Sequence, residues 1–588
     1  MTRILEQEPR TSLPGFGRAL DDYFIPTIEG NEDDGIWEWF PHAIEDTCFS
    51  EPVSLRERRM LEFINQITDK LQWYYKVFDA TVVAKWRTEA VVYSPQLKDE
   101  YLTAPMFDYC IQELRDKAEY HQSSMLVAVL DCDLAVVKSD EIVPDSLHQG
   151  LRQAVRVLED VPEHHKDWHP GSDKKVLDLL HPSLFPLIHG VSRAKPRGTV
   201  PIARCAQYCG DGETVDPVFA DQPSWEEPSN PSLEGWGSFQ WLPSEVRFAD
   251  DGKPTITSYV NNLHPEKHQS LYPILERFVD AAIPLWDECL SWFRPRLRLE
   301  RIYGSDEDFG PPPEHVTYAP LPEEEIPNPS YREWFKEHRV LKHTAVLPFC
   351  NRQDQASSPI HKPVNLKQNY AKSGLQIIFK LAGIYLTPEK PEYEGGSWHV
   401  EGALNEHICA TALYYYDEEN ITPSRLAFRQ KLNAYDMRYY VHQYEWESTE
   451  QFYGVKQDGP PIQLLGSVLT RSGRLLSFPN NLQHRVEPFR LDDTTRPGHR
   501  KILAMFLVDP HIRILSTANV PPQRVDWWAE EVRRVPPFDR LPGEIYNQIT
   551  DHVHGFPLTW EEALTARQAL MNERGALVEL RNDENEMH

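Results

Sequence analysis

Within residues 393–402, YEGGSWHVEG, a histidine and a glutamate stand two apart just after a double glycine. An imidazole and a carboxylate at that spacing are two of the three protein ligands of a facial two-His, one-carboxylate site, a set that suits ferrous iron and leaves positions open for a co-substrate and oxygen. The third ligand has to come from a distant strand brought alongside. His484 fits that part: it lies in LLSFPNNLQHRVEPF, just past a strand candidate and a Pro-Asn-Asn turn. Further on, Arg500 opens the apolar run of GHRKILAMFLVDP. A guanidinium at the head of an inward-facing strand can hold a carboxylate through two parallel hydrogen bonds, as a dicarboxylate co-substrate requires.

The tripeptide alone carries little weight. His-x-Asp/Glu occurs here as His165–Asp167, His264–Glu266 and His399–Glu401, and roughly three or four are expected by chance from the composition. His165 sits in the solvated run EHHKDW, and His264 precedes Pro265 at the start of a helical stretch, where Glu266 suits the helix N-terminus. Both read as structural. The pair His399 and Glu401 instead lies between strand candidates, where short-spaced ligands would face a barrel mouth.

The elements around that pair are β-rich. Residues 376–386, 408–416, 463–470, 474–478 and 500–508 are β-branched or aromatic runs cut by Gly, Pro, Asn or Asp, with no matching helices between them. They predict an antiparallel barrel or sandwich. Ahead of them, helical periodicity appears at 55–71, with Met60, Leu61, Ile64, Ile67 and Leu71 on one stripe, at 105–119 and at 147–158. The first 180 residues read as largely α. Short strands are expected at 239–242, 245–248 and 254–263, a helix at 271–293, and a last helix opened by the capping box TWEE at Thr559. The expected division is an extended acidic arm over 1–50, an α-rich region over 51–250, the β core with a flanking helix over 251–520, and a helical segment over 521–588.

Composition narrows the partners. A net charge of −29 repels phosphate backbones, so a nucleic-acid partner is not expected. No run reaches the length of a membrane span and the start, MTRILEQEPR, has no apolar h-region, so the expectation is a cytosolic protein acting on a small molecule. Cys205 and Cys209, as CAQYC, lack a second pair at finger spacing and read as reduced thiols.

His399, Glu401, His484 and Arg500 resemble the ligand triad and arginine of the Fe(II)/2-oxoglutarate-dependent dioxygenases. The wider sequence resembles a fungal family known as DUF4246, through KLAGIYLTPEKPEYEGGSWHVEG, LYYYDEENIT, LLSFPNNLQHRVEPF and GHRKILAMFLVDP, and, nearer the front, DKLQWYYKVFDATVVAKWR and DWHPGSDKKVLDLLHPSLFPL. The fold so implied is α+β: a double-stranded β-helix core, jelly-roll or cupin-like, with a large α-rich N-terminal part and C-terminal helices. The resemblance implies Fe(II), 2-oxoglutarate and O2 as cofactor and co-substrates. It makes His399, Glu401 and His484 the catalytic metal ligands, with Arg500 on the C5 carboxylate of 2-oxoglutarate. The outcome would be hydroxylation, desaturation or cyclisation of an unidentified substrate, expected to be a small molecule such as an amino acid or secondary metabolite. A protein side-chain hydroxylase, a cupin-type Zn or Mn enzyme without 2-oxoglutarate, and a non-catalytic binding scaffold are the rival readings.

Two positions depart from the commonest dioxygenase pattern. The carboxylate is Glu rather than Asp, and Ile502 stands two after Arg500, where many relatives carry a serine that assists the same carboxylate. Tyr414, Thr411 or Lys380 could take that serine's place, and Tyr414, on the strand after the ligand pair, is the favoured one.

Overall fold

The apolar runs around the ligand pair form long antiparallel strands because β-branched and aromatic side chains cover a pleated surface that is buried on both faces. A computed structural model describes residues 9–22, 40, 50–92, 101–217, 237–291, 301–302, 345–352, 363–432, 450, 452–456 and 459–586. Along the chain its main strands begin with β1 (Val127–Val129), β2 (Val136–Ser139), β3 (Asp167–Trp168) and β4 (Val176–Leu180). Next come β5 (Ser244–Phe248), β6 (Pro254–Ile256), β7 (Leu375–Leu386) and β8 (Ile408–Glu419). The series ends with β9 (Ser424–Lys431), β10 (Ile462–Thr470), β11 (Leu475–Pro479), β12 (Gln483–Val486) and β13 (Gly498–Val508).

The fold is mixed α and β with antiparallel sheets. One ten-stranded sheet runs β6-β5-β7-β13-β8-β11-β2-β1, with β4 pairing further along the same edge of β7 as β5 and β3 paired to β4. A second, three-stranded sheet runs β10-β9-β12. Strands from both sides of the boundary expected near residue 250 therefore share one sheet: β4 and β5 precede it, β7 follows it.

The long helices among the described residues include α1 (Leu55–Thr68), α2 (Ala104–Ser124), α3 (Asp145–Glu159), α4 (Tyr272–Ser291) and α5 (Trp560–Glu586). Ser54 caps α1 by accepting the Glu57 N–H, and Met60, Leu61, Ile64 and Ile67 are buried. The expected stripe ends there. Leu71 lies past the helix end and is 79% exposed. Thr103 caps α2, with Pro105 in its first turn, where the missing N–H costs nothing. At the start of α5, Thr559 and Glu562 exchange bonds: Thr559 N–H donates to the Glu562 carboxylate at 2.8 Å and Glu562 N–H to Thr559 Oγ1 at 3.2 Å. Among the described residues no helix is long and apolar enough to cross a membrane.

The first 180 residues are less α than expected, since β1 to β4 lie there. At two to five residues each, these strands are too short for an alternation to stand out. The strand expected over 254–263 stops at Ile256. Beyond it Ser258 Oγ pairs with Thr517 Oγ1 and the Tyr259 hydroxyl donates to Val520 O instead of extending the ladder.

Candidate metal centre

His399 and His484 are far apart in the chain and directly paired in space. Each donates its backbone N–H to the other's carbonyl, at 3.2 and 3.0 Å, forming an isolated antiparallel bridge beside β12. Residues paired in this way show their side chains to the same face. Their ring centroids are 4.4 Å apart. Two glycines allow the approach: Gly395, at φ +96°, where a Cβ would come within 2.9 Å of Val486 O, and Gly402, at φ +79°, where it would meet Glu406 and Ile408 at 2.7 Å.

Glu401 completes the group. Its Oε1 lies 3.7 Å from His399 Nε2 and 3.5 Å from His484 Nε2, and the three side chains form one of two groups among the described residues whose potential ligand atoms all lie within 4.8 Å of one another. The tautomers suit ligation. His399 Nδ1 faces Ser397 O at 2.9 Å and can only donate to it, which leaves the Nε2 lone pair towards Glu401. His484 Nδ1 faces Leu482 O in the same sense at 3.5 Å. Burial raises the Glu401 carboxyl, but the hydrogen bonds and charge of the two imidazoles outweigh it and hold that carboxyl well below its usual range. Burial lowers both imidazoles; the Glu401 carboxylate reverses the shift at His399, while the neighbouring His399 charge adds to it at His484.

Asn480, which sequence reading placed only in a turn, locks the carboxylate's backbone. It is fully buried; its Oδ1 accepts the Glu401 N–H at 2.9 Å, and its Nδ2 donates to Glu401 O at 2.8 Å and Ile408 O at 2.9 Å. The Pro-Asn-Asn turn was the available signal. A fully satisfied buried amide holds the ligand loop against β8 more stiffly than a solvated turn would.

Strand register decides which residues look into the space between the sheets. Lys380, Ala504 and Leu413 are paired across β7, β13 and β8; so are Ala382, Ile502 and Tyr415, and so are Ile384, Arg500 and Glu418. Paired residues and those two apart share a face, so Arg500, Tyr415, Thr411 and Lys380 lie on one side of the large sheet. In the small sheet Ser424 and Phe428 share a face, and Phe428 pairs with His484. Arg500 Nη1 donates to Ser424 Oγ. The Arg500 face and the His484 face are thus turned towards each other.

Tyr414 is on the wrong side for the role expected of it. It pairs with Leu503 on the opposite face, its hydroxyl meets His148 Nδ1 of α3 at 2.7 Å, and its ring packs on Phe278 of α4 at 4.7 Å. The adjacent Tyr415 is the one beside Arg500, whose guanidinium lies 5.0 Å from its ring centre. A shift of one residue along a strand exchanges faces, and sequence spacing left that unresolved.

Arg500 itself is 3% exposed, joins no ion pair among the described residues, and has no hydrogen-bond partner at Nε. The hydroxyls of Tyr415 and Thr411 are likewise buried and unpartnered. Glu418, its cross-strand partner, feels the Arg500 charge without closing an ion pair with it, and a buried guanidinium left without such a pair is costly and marks a place for an anion. Lys380, half-buried, adds a positive charge that lowers His399. The walls include distant segments: Glu406 accepts from Trp241 N–H and from Arg574 of α5, both at 2.5 Å.

The other sequence candidates fall elsewhere. His264 Nδ1 accepts the Glu266 N–H at 3.2 Å, and its ring lies tilted against Trp527. Asp167 is paired to Arg567. Cys205 and Cys209 are free thiols in an apolar cluster with Tyr259 and Trp527, and no metal-type group among the described residues includes them.

A family profile described as "Protein of unknown function (DUF4246)" matches residues 104–531, and one for "Domain of unknown function DUF4246, N-terminal" matches residues 13–89. No curated protein matches the sequence. Among solved structures, the chain is similar to an Fe(II)/(alpha)ketoglutarate-dependent dioxygenase, TqaL, at 16% identity and a TM-score of 0.16, with 26% of this chain and 50% of that one covered. It spans half the length of that protein. It is similar also to IDO from Bacillus thuringiensis, at 10% identity and a TM-score of 0.22, covering 67% of this chain and 94% of the other. A bsmA homolog from Methylobium petroleophilum PM1 is similar at 14% identity and a TM-score of 0.14, covering 29% and 57%. At those scores the chemistry has to be read from this chain's own residues.

Proposed function

The chain belongs to the DUF4246 family, and from the site it carries we propose that it is a non-haem Fe(II)/2-oxoglutarate-dependent oxygenase acting on a small molecule. The observation that carries this reading is the convergence of His399 Nε2, His484 Nε2 and a Glu401 oxygen on a face opposed to a buried Arg500 that joins no ion pair among the described residues. Metal–ligand bonds of about 2.0–2.2 Å put neighbouring donors roughly 3 to 4 Å apart, and the observed 3.5 and 3.7 Å fit. Two imidazoles and one carboxylate are the donor set of an iron oxygenase rather than of a thiolate site. We read the two opposed sheets as a double-stranded β-helix core.

Iron held there together with 2-oxoglutarate supplies the oxygen activation that oxidises an unactivated C–H bond. The chain's own residues bind and exclude. Arg500 pairs with the C5 carboxylate of 2-oxoglutarate, and Ser424 holds that guanidinium in the position left open by Ile502. Tyr415 is the next donor for the same carboxylate, and Thr411 lies two rows further along its strand. The α-rich segments before residue 250 and the Arg574 end of α5 wall the space and keep water from it. Nothing in this reading needs a nucleic acid or a membrane.

Anaerobic addition of Fe(II) and then 2-oxoglutarate tests it, because the chelate absorbs in the visible. The band should appear in the wild-type protein. In Arg500→Ala it should need about 10 to 150 times more 2-oxoglutarate, the equivalent of a charged hydrogen bond of about 1.5–3 kcal/mol. Tyr415→Phe should shift the titration by up to about tenfold. Tyr414→Phe should leave it unchanged while costing about 1 kcal/mol of stability through the lost His148 bond. Turnover that proceeds without 2-oxoglutarate would replace this reading by a cupin-type metalloenzyme.

A further inference from the structure

The second group of convergent donors lies in the segment DWHPGSDKKVLDLLHP and takes no part in the proposal above. His169 follows β3, Asp178 is in β4, and His181 lies just past it. Their potential ligand atoms all fall within 4.8 Å of one another. We propose that His169, Asp178 and His181 form a second site, for a first-row divalent cation.

Three observations support it. Two imidazoles and a carboxylate make a mixed N,O set that suits zinc, iron or manganese and excludes none of them by softness. Asp178 is only 4% exposed, and its Oδ1 has no hydrogen-bond partner, although Oδ2 takes the His169 Nδ1–H at 2.8 Å. A buried carboxylate oxygen left unbonded is costly. An ion seated at about 2.1 Å can reach an oxygen too enclosed for a group that needs about 2.8 Å. Finally, the nearby cations leave the carboxylate available. Lys380 acts on Asp178 and His181 through its charge, with no ion pair to Asp178 among the described residues. Arg567 directs its close contacts, 2.7 and 2.6 Å, to Asp167 and stands 3.9 Å from Asp178.

One contact makes loading visible. His181 Nδ1 accepts the Ser183 N–H at 3.1 Å, so the ring carries its proton on Nε2. Ligation through Nε2 moves that proton to Nδ1, which then faces the Ser183 N–H and releases it. The cation would pin the turn between β3 and β4, the edge pair beside β7, while opening the small turn at Ser183.

The site needs neither iron nor 2-oxoglutarate, so its test separates from that of the oxygenase reading. Equilibrium dialysis of the full chain against Zn(II) alone, followed by elemental analysis, should give two equivalents in wild type and one in His399→Ala. Asp178→Asn and the half-exposed His169→Ala should each weaken the second equivalent at least about tenfold while leaving the Fe(II)–2-oxoglutarate band in place. Hydrogen exchange at the Ser183 amide should speed up on loading in wild type and in His399→Ala, and not in Asp178→Asn. A single equivalent that His399→Ala removes and Asp178→Asn leaves untouched overturns the proposal, as does a second equivalent that survives both Asp178→Asn and His169→Ala.

Discussion

His484→Ala abolishes the visible Fe(II)–2-oxoglutarate band and all 2-oxoglutarate-dependent turnover: this is the largest functional effect expected of any single substitution. In the proposed site the imidazole is one of three donors. Loss even of a residue that merely supports a ligand weakens metal binding about 10- to 100-fold, so loss of a donor itself exceeds that range. The fold should survive, because what pairs His484 with His399 is two backbone hydrogen bonds, and an alanine keeps both. The far-ultraviolet spectrum and the denaturation midpoint should therefore stay close to wild type once the small cavity beside Phe428 and Phe478 is allowed for. A band that persists in this variant removes His484 from the metal and with it the oxygenase assignment.

Arg301→Ala should destabilise the protein by about 3–5 kcal/mol, the cost of stranding buried charge. Arg301 is fully buried and gathers three carboxylates. It donates to both oxygens of Glu113 in α2 at 2.8 and 2.7 Å, to Asp131 just past β1 at 3.1 Å, and to Glu57 in α1 at 3.4 Å. Without it Lys117 is left to offset Glu113 and Asp131. Burial then favours protonation of those acids, which is the form the loss takes in free energy. The consequence reaches the site: β1 and β2 extend the sheet beside β11, and β11 leads into Asn480 and His484. Chemical denaturation measures the loss, and Arg301→Lys, which keeps the charge and forfeits the bidentate geometry, should fall between the two. A midpoint unchanged in Arg301→Ala would show that the helices and the sheet fold as separate units.

How much of this was legible beforehand depended on distance along the chain. Five strands of the core announced themselves because each is a long apolar run, and α1, α2 and α3 because their buried stripes keep helical spacing. The short strands β1 to β4 did not, and neither did β9 and β12, whose polar faces break the run. His399 and Glu401 could be paired from two positions of spacing. Nothing local marked the partnership of Asn480 with Glu401, of Ser424 with Arg500, or of His169 with Asp178 and His181.

By itself the amino-acid order determined which chemistry was available: two imidazoles, a carboxylate and a guanidinium in β-rich surroundings, on a chain too acidic to favour nucleic acid. Tertiary structure decided which of those groups meet. Strand pairing brings His484 to His399, and register turns Tyr415 rather than Tyr414 towards Arg500. Sheet packing leaves that arginine buried with no ion pair among the described residues. Side-chain facing reverses with every residue along a strand, and pairing partners are chosen by contacts tens to hundreds of positions away, so neither is written in local sequence.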